Sequence, residues 1–579
     1  MDNACLTYTI NGKTFEISGS GQIIVPAGTA VSFDLAKTGC WYGHGFNNRQ
    51  PYPLNSEPIA NQNFTVNNTQ SPIWMCQSGF ALFANTTRRL AVNSNVNGNG
   101  FFELSCQNYE LCLEVFGGET LTQAHQKLMS HIGWPSAMMN KSFLGDSVFC
   151  TWTQYPRNIN QQRIIETAKQ IRKYDYPCTT ITIDDIWEAN YGELEFSADF
   201  PHPVQMMDEL HKLGFKVLLW VTPFINDDAA TFDMLQENGY LVKESGRAAK
   251  FKWWGGTAGL VDLTNPEARL WYKGKLRALK DKYGVDGFKI DGGDAKYQPS
   301  GENVRWADYK GPSGYIDMLL ELFEEIAPGM CETRTAWLSQ KRNIVWRQGG
   351  KDSHWGIENG MTAMLNLGLN MALMGYDIFM PDMIPGRVQT MVKDMALPTD
   401  ELFVRWTELS VFMPLVQFSY FPWNYCRQTE QIIKNYAVMH KLMEDYLHIQ
   451  AQGRAKPLFR PMWYDYPQNA EFYSIADQFM LGDDLLAAPV MNENRVARDV
   501  VIPEGNWKNI FTGETLTLGK YLQYPAPCPG IPVFVRAENT ELFDKLHKQA
   551  KSITRGVVKS GEITAAYSSG IDRDIKVTG

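Results

Sequence analysis

The 579-residue chain lacks the features that mark several large classes of protein. Its 54 basic residues are outnumbered by 63 acidic ones, so we expect no nucleic-acid partner and no anionic-membrane anchor. The longest apolar run, 217–225, has about half of the ~20 residues that cross a bilayer. The N-terminus has neither the basic start nor the apolar core of a signal peptide. We therefore expect a cytoplasmic protein for the chain as given; secretion after removal of a leader stays open.

The motifs of the common catalytic classes are also missing. The sequence has no P-loop, no HExxH, no GxSxG and no GxGxxG after a strand. Its ten cysteines include no CxxC pair, and its nine histidines are scattered. We expect reduced, mostly buried thiols, no metal site and no cofactor.

Three changes of sequence pattern indicate the domains. Residues 1–130 alternate short β-favouring runs with Asn/Gly turns, which predicts an N-terminal β-sandwich. Residues 131–455 alternate apolar strands with amphipathic helices, which is typical of a catalytic (β/α)8 barrel. Short strands return at 456–540 and predict a C-terminal β-domain, a second sandwich. Residues 541–579 form a helix-like extension that we assign to no domain.

The barrel prediction depends on eight apolar runs that end in polar or Trp residues. They are VFCTWTQY, TTITIDDIW, KVLLWVTPF, GFKIDGG, MCETRTAW, NIVWRQGG, YDIFMPD and LVQFSYFP. Intervening helices are predicted at 160–174, 203–213, 314–327 and 430–450, and another runs from Pro266 to a stop at Gly284. Residues 338–342 are too few for a helix between the fifth and sixth strands. The fold class is therefore α/β, a TIM barrel flanked by two β-sandwiches.

Carboxylates and tryptophans concentrate at the carboxyl ends of these predicted strands. They are Asp184, Asp185, Trp187, Asp291, Asp294, Asp352, Trp355, Asp377 and Asp382. Paired carboxylates supply the nucleophile and acid for cleaving a glycosidic bond, and indole faces stack on sugar rings. A single such Asp is as often a helix cap. Four strand ends together favour a glycosidase.

Several longer strings resemble glycoside hydrolase family 31, and within it the branch of myogenesis-regulating-glycosidase-like α-galactosidases. The strings are TIDDIW, WWGG with VDLTNP, FKIDGGD, KDSHWG, MPDM, ELFVRW, FMPLVQFSYFPW, LGDDLLAAPV and PEGNW. The resemblance implies that Asp291 is the nucleophile and Asp352 the acid/base of a retaining mechanism. It also implies that Arg334 and Asp382 line the sugar subsite.

The sugar is indicated by departures from the family pattern. Gln417 and Ser419 stand where α-glucosidases of the family have Arg and His, which disfavours glucose. DDIW and FKID are similar to strings of other retaining α-galactosidases, so Asp184, Asp185 and Lys289 are candidates for reading galactose hydroxyls. Of the adjacent pair 253–254, Trp254 is the candidate sugar platform. Trp187 and Trp355 are either pocket walls or barrel packing.

The sequence thus predicts a retaining exo-α-galactosidase whose partner is a terminal α-galactoside. The CWYGHGFNNRQ segment is similar to a family loop that narrows the barrel mouth, which favours exo action. Three alternatives stay open: the same chemistry on another α-glycoside, such as an α-glucoside, an α-N-acetylgalactosaminide or a modified hexose; transglycosylation; and a catalytically silent carbohydrate-binding relative. Linkage, aglycone and oligomeric state are not fixed by the sequence.

Overall fold

The N-terminal part of the chain folds into two antiparallel sheets. A computed structural model describes residues 5–45, 48–64, 69–135, 139–388, 397–453, 455–558 and 577–578. The first sheet has the strand order β2-β1-β4-β10-β9-β6 and the second β3-β11-β8-β7-β5. The strands are β1 (Cys5–Ile10), β2 (Lys13–Ser18), β3 (Gly21–Val25), β4 (Thr29–Asp34), β5 (Trp41–Gly43), β6 (Ile59–Phe64), β7 (Ile73–Cys76), β8 (Phe80–Phe83), β9 (Leu90–Ser94), β10 (Phe101–Cys106) and β11 (Leu111–Gly117). The helices here are α1 (Leu35–Thr38) and α2 (Leu121–Ile132).

Eight parallel strands then form a nearly closed barrel, which confirms the predicted fold class. They are β12 (Val148–Cys150), β13 (Thr180–Ile183), β14 (Lys216–Val221), β20 (Gly287–Ile290), β22 (Cys331–Thr333), β23 (Val345–Arg347), β24 (Phe379–Met380) and β25 (Gln417–Phe418). The last strand pairs with β12, and a bridge between Ile384 and Phe418 joins the two ends of the sheet. Each of the eight apolar runs therefore supplies one barrel strand.

Two small antiparallel sheets interrupt the barrel and build part of its mouth. Their strands are β15 (Phe224–Asn226), β16 (Lys243–Glu244), β17 (Arg247–Ala248), β18 (Lys250–Trp253), β19 (Gly256–Leu260) and β21 (Val304–Arg305). The helices of the region are α3 (Gln161–Lys173), α4 (Pro203–Lys212), α5 (Phe232–Glu237), α6 (Pro266–Tyr283), α7 (Pro312–Ile326), α8 (Met361–Leu373), α9 (Asp400–Ser410), α10 (Arg427–Leu442) and α11 (Glu444–Ala451).

Local signals account for where these helices begin and end. The Asn265 side chain accepts a hydrogen bond from the Glu267 backbone N–H at the start of α6, and Gly284 ends that helix in the left-handed conformation. The predicted helix 430–450 is two helices. The Met443 N–H bonds to the His440 carbonyl only three residues back, which tightens the chain and separates α10 from α11.

The connection between β22 and β23 contains no α-helix; the structure describes every residue of it. Instead, this connection packs against the N-terminal sheets. Ala336 forms a parallel bridge with Thr69, and its carbonyl accepts the Gln70 N–H at 3.0 Å. The Trp337 indole donates to the Thr86 carbonyl at 2.8 Å. The N-terminal domain therefore covers the one place where the barrel lacks a crossover helix.

A C-terminal β-rich region completes the chain. It contains β26 (Phe459–Pro461), β27 (Phe479–Leu481), β28 (Leu485–Ala487), β29 (Ala497–Ile502), β30 (Trp507–Asn509), β31 (Thr515–Leu516), β32 (Gly519–Pro525), β33 (Val533–Arg536) and β34 (Val577–Thr578), with helices α12 (Met462–Asp465) and α13 (Thr540–Val558). The strands form sheets ordered β26-β27-β28-β33-β30-β31 and β29-β32-β34. The helix α13 lies against α10, where Gln549 donates to the Asn435 carbonyl. Residues 559–576 of the predicted extension lie outside the described residues.

Candidate active site

A cavity of about 330 Å³ opens at the carboxyl ends of the barrel strands. This volume falls at the lower end of the range of about 300–1,000 Å³ for small-molecule sites. Polar and aromatic side chains dominate its wall. It is lined by Trp152, Arg157, Asp184, Asp185, Trp220, Trp254, Lys289, Asp291, Arg334, Arg347, Gly350, Met383 and Arg387. Six of the ten residues predicted from the sequence are among them.

Asp291 follows β20 and is held on both carboxylate oxygens. The Arg334 Nε lies 2.6 Å from its Oδ1, and the Trp220 indole donates to its Oδ2 at 3.2 Å. Arg334 is itself fixed by a second carboxylate, Asp294, at 2.8 Å. Burial opposes ionisation of Asp291, but the charges of Arg334, Arg347 and Lys289 outweigh it and hold its pKa below the usual range. Asp291 is therefore a charged carboxylate facing the cavity.

Four buried groups, Cys150, Asp184, Lys289 and Glu332, form what we call the floor. The Lys289 ammonium lies 2.6 Å from Asp184 and 3.7 Å from Glu332. The Cys150 thiol donates to Asp184 at 3.1 Å and accepts from Lys289 at 3.4 Å. Exposure of the two charged lining groups is 3% for Lys289 and 4% for Asp184. Burial lowers the Lys289 pKa, but Asp184, Cys150 and Glu332 together outweigh it, so the pKa is raised overall.

Asp185 lies beside the floor in a different environment. Burial raises its pKa to about 7, although the Tyr191 hydroxyl donates to its Oδ1 at 2.6 Å. The Asp184 charge next to it raises the pKa further. Tyr191 is fixed in turn by edge contacts with Trp253 and Trp220. Asp185 therefore changes charge near neutral pH, whereas Asp291 stays ionised.

Asp352, Arg387 and Asn359 form what we call the rim. Asp352 lies in the loop after β23 and is not itself among the residues that line the cavity. Its Oδ1 forms an ion pair with the Arg387 guanidinium, which does line the cavity. Its Oδ2 accepts the Asn359 side-chain amide at 3.0 Å. The Arg387 and Asp352 side chains are 35% and 20% exposed. The rim is thus far more open to solvent than the floor.

Of the remaining predicted residues, Trp254 lines the cavity wall and Trp187 packs in the protein interior. Trp254 lines the cavity with 37% of its surface exposed, while the adjacent Trp253 is buried and donates to Asn226 at 2.9 Å. Trp187 does not line the cavity. It is fully buried, because its indole donates to the Trp220 carbonyl at 2.7 Å and its ring packs on Phe196. Trp187 was expected to be either a pocket wall or part of the barrel packing, and the structure shows that it is part of the packing.

Trp355 and Asp382 also lie outside the cavity wall. Trp355 is half-buried, and its carbonyl caps the start of α8 by accepting the Thr362 hydroxyl at 2.7 Å. Asp382 is fully buried and accepts the Lys351 backbone N–H. Burial raises the Asp382 pKa. The Asp382 side chain and the Trp355 carbonyl thus fix the loop that carries Asp352, and neither residue lines the cavity.

Sequence reasoning missed several groups of the site. Glu332, Arg347 and Cys150 lie on barrel strands, where the period of two along each strand offered a signal. Gln417 was noted only for the Arg of α-glucosidases that it replaces, and its side chain donates to Glu332 at 3.3 Å. Arg387 lies in a loop without periodicity, and nothing local in the sequence marked it.

The described residues contain no cluster of three or more His, Cys, Asp or Glu side chains suited to hold a metal ion. Within the same part of the chain, no helix is both long and apolar enough to span a bilayer. The segment that follows β5 contacts the loop of Asp352. Arg49 forms an ion pair with Glu358 there. Residues 46–47 of this segment lie outside the described residues.

Three domain models match the chain. Residues 136–449 match the TIM-barrel domain of glycosyl hydrolases family 31, and residues 455–540 match the C-terminal domain of the same family. Residues 3–110 match the N-terminal domain of myogenesis-regulating glycosidase.

Curated relatives agree with these matches. The myogenesis-regulating glycosidase of Mus musculus is 31% identical over 417 residues, which cover 70% of this chain and 58% of that protein. The α-xylosidase XylQ of Lactiplantibacillus pentosus is 23% identical over 532 residues, covering 87% and 65%. The chain thus spans about three fifths of the length of these relatives.

Solved structures share the fold. The family-31 dextranase of Flavobacterium johnsoniae, complexed with glucose, superposes with a TM-score of 0.73 at 20% identity, covering 90% of this chain and 67% of that one. A family-31 sulfoquinovosidase from E. rectale, complexed with an aza-sugar inhibitor, gives 0.75 at 17% identity, covering 94% and 87%.

Proposed function

Because the chain belongs to glycoside hydrolase family 31, we propose that it is a retaining exo-α-galactosidase that removes terminal α-linked galactose. The observation that carries the proposal is the charged Asp291 carboxylate at the wall of the cavity. A nucleophilic carboxylate must be ionised at the working pH, and three neighbouring cations keep it so.

In the first step, one Asp291 oxygen bonds to the anomeric carbon as the bond to the leaving oxygen breaks. Asp352 donates its proton to that oxygen, so the aglycone departs as an alcohol. In the second step, Asp352 takes a proton from water, and the water oxygen displaces Asp291 from the anomeric carbon. Two inversions leave the configuration of that carbon unchanged.

The floor supports a preference for galactose. Asp184 and Lys289 are almost fully buried, so each needs a partner in every bound state. Asp184 and Lys289 already pair with each other, and a galactose hydroxyl that bonds both groups adds to this pair. An epimer with that hydroxyl turned away would exclude water from the pair and supply no hydrogen bond in its place. Asp185 adds a third polar group to this wall and Trp254 an exposed aromatic face.

A second candidate function is the same chemistry on another α-glycoside. Its support is equal at the level of the family, since the relatives include α-xylosidases and the sulfoquinovosidase of Escherichia coli. The cavity also presents Arg157 and Arg347, which suit a substituted hexose as well as a plain one. The sugar therefore has to be measured.

The test is to measure initial rates on aryl α-galactoside, α-glucoside, α-xyloside and α-N-acetylgalactosaminide, with Asp291→Ala as the blank. We expect turnover of the galactoside that the blank lacks, with the released sugar first appearing as the α-anomer by NMR. Turnover confined to another sugar would retain the mechanism and reject galactose. Equal rates in the blank would reject Asp291 as the nucleophile.

A further inference from the structure

Arg387 and Asp352 are joined by both backbone and side chain. The two residues form a parallel bridge, in which the Arg387 N–H donates to the Lys351 carbonyl at 2.8 Å and its carbonyl accepts the Ser353 N–H at 3.3 Å. On this frame the guanidinium pairs with the Asp352 carboxylate. Gly386 allows the close approach, since a Cβ there would lie 3.1–3.2 Å from the backbone of 351–353.

The Arg387 guanidinium also faces the substrate space. It lines the cavity, and 35% of its side-chain surface is exposed. One side of the group therefore meets Asp352 and another is available to the bound substrate. A leaving oxygen that approaches Asp352 arrives beside this cation.

Other charged groups lie near Asp352 without contacting its carboxylate. Lys351 precedes it, but the Lys351 ammonium is buried and donates to the Gly349 carbonyl at 3.0 Å. His354 and Glu358 lie on the same loop; the His354 ring accepts the Gly356 N–H, and Glu358 pairs with Arg49. Arg387 is the charged side chain in direct contact with the Asp352 carboxylate among the described residues.

We propose that Arg387 is a positioning residue that acts through Asp352: it holds the carboxyl group at the cavity and sets the upper pH limit of the reaction. This inference rests on the proposed function. A cation in contact with a carboxyl group favours its ionised form, whereas breaking the glycosidic bond needs the protonated form. Arg387 therefore restricts the acid step to lower pH and supports the base step that follows.

The experiment is the pH profile of kcat/KM on an α-galactoside with a poor leaving group. We expect Arg387→Gln to move the alkaline limb to higher pH by about one unit, because the contacting positive charge is gone. Arg387→Lys keeps a cation and should leave the limb near its wild-type position. An unmoved limb in Arg387→Gln would overturn the proposal, as would an equal shift in both variants.

Two further measurements guard against a merely structural effect. Arg49→Gln removes another cation from the same loop contacts without touching Asp352, and its limb should coincide with that of the wild type. Raising the ionic strength from about 0.05 to about 1 M should move the wild-type limb upwards, since the rim pair is partly exposed. If Arg387→Gln does not fold, a wild-type limb that ignores salt overturns the proposal.

Asp352→Ala separates this inference from the proposed function. If Asp352 is the acid, that variant loses turnover of poor leaving groups and its alkaline limb together. A retained limb in Asp352→Ala would reject Asp352 as the acid and, with it, the proposed mechanism. A lost limb there, combined with an unmoved limb in Arg387→Gln, would reject the role of Arg387 alone.

Discussion

The floor and the rim of the cavity both pair an acidic side chain with a basic one, yet the two pairs differ in burial, in their further partners and in the elements that carry them. Asp184 and Lys289 extend from barrel strands, are nearly fully buried, and have Cys150 and Glu332 as further partners. Asp352 and Arg387 extend from loops and are 20% and 35% exposed. Breaking a buried ion pair is strongly destabilising because it leaves an unpaired buried charge, whereas breaking an exposed ion pair has little effect on stability. The floor is therefore suited to reading a sugar and the rim to moving a proton.

Removal of the rim carboxylate should have the largest effect. Asp352→Ala should lower kcat/KM by about 10²–10⁴-fold on galactosides with poor leaving groups, since general acid catalysis contributes that much. An activated aryl galactoside, whose leaving group needs no proton, should lose far less. Steady-state rates on the two substrate types test this. Equal losses on both would contradict a proton-transfer role and make the rim resemble the floor.

Neutralising the floor should change selectivity. Asp184→Asn leaves the Lys289 ammonium short of its 2.6 Å partner, and we expect galactoside kcat/KM to fall by roughly 10²-fold. The ratio of galactoside to glucoside turnover should fall with it. Asp175→Asn is the matched control, because Asp175 pairs with Lys434 at 3.0 Å but is 89% exposed. An unchanged ratio in Asp184→Asn would remove Asp184 from sugar recognition.

Asp185, which lies beside the floor, should make the stability of the protein depend on pH. Its folded-state pKa of about 7 lies above the ordinary value of 3.8, so the folded protein binds more protons than the unfolded chain between those values. Stability therefore falls as the pH rises through this window. Asp185→Asn removes the penalty and should raise the free energy of unfolding at pH 8 but not at pH 4, by an amount on the order of a few kcal/mol at most, and Tm should rise with it. A pH-independent difference in Tm would contradict this.

The smallest effect is expected at Cys150. Cys150→Ala removes one donor to Asp184 and should lower galactoside kcat/KM about fivefold, the value of one ordinary hydrogen bond. Cys150→Ser keeps a donor and an acceptor at this position and should restore most of that loss. The measurement is kcat/KM of both variants and of the wild type on the same galactoside. If Ser and Ala behaved alike, the floor would depend on packing at this position.

The same contrast explains what could be predicted from the sequence. Periodicity is the signal for the floor: Lys289, Cys150 and Glu332 lie on barrel strands, and all eight barrel strands coincide with predicted runs. Of these three residues, only Lys289 was predicted as a site residue. Periodicity gives no signal for the rim, because Arg387 contacts Asp352 through a bridge between two loops that are 35 residues apart in the chain. Trp187 shows the converse. Its position after a strand is typical of a site residue, and only the hydrogen bond of its indole to the Trp220 carbonyl and its packing on Phe196 show otherwise.

The helix-free connection between β22 and β23 bears on how this protein can be divided. The Ala336 carbonyl and the Trp337 indole form hydrogen bonds with loops of the N-terminal domain, so a barrel cut free of that domain would expose a backbone acceptor and an indole donor that water alone would have to satisfy. The same connection follows Arg334, which orients Asp291. A shortened or chimeric version that replaces the first domain would therefore put the nucleophile at risk, and an engineer should treat the two domains as one unit.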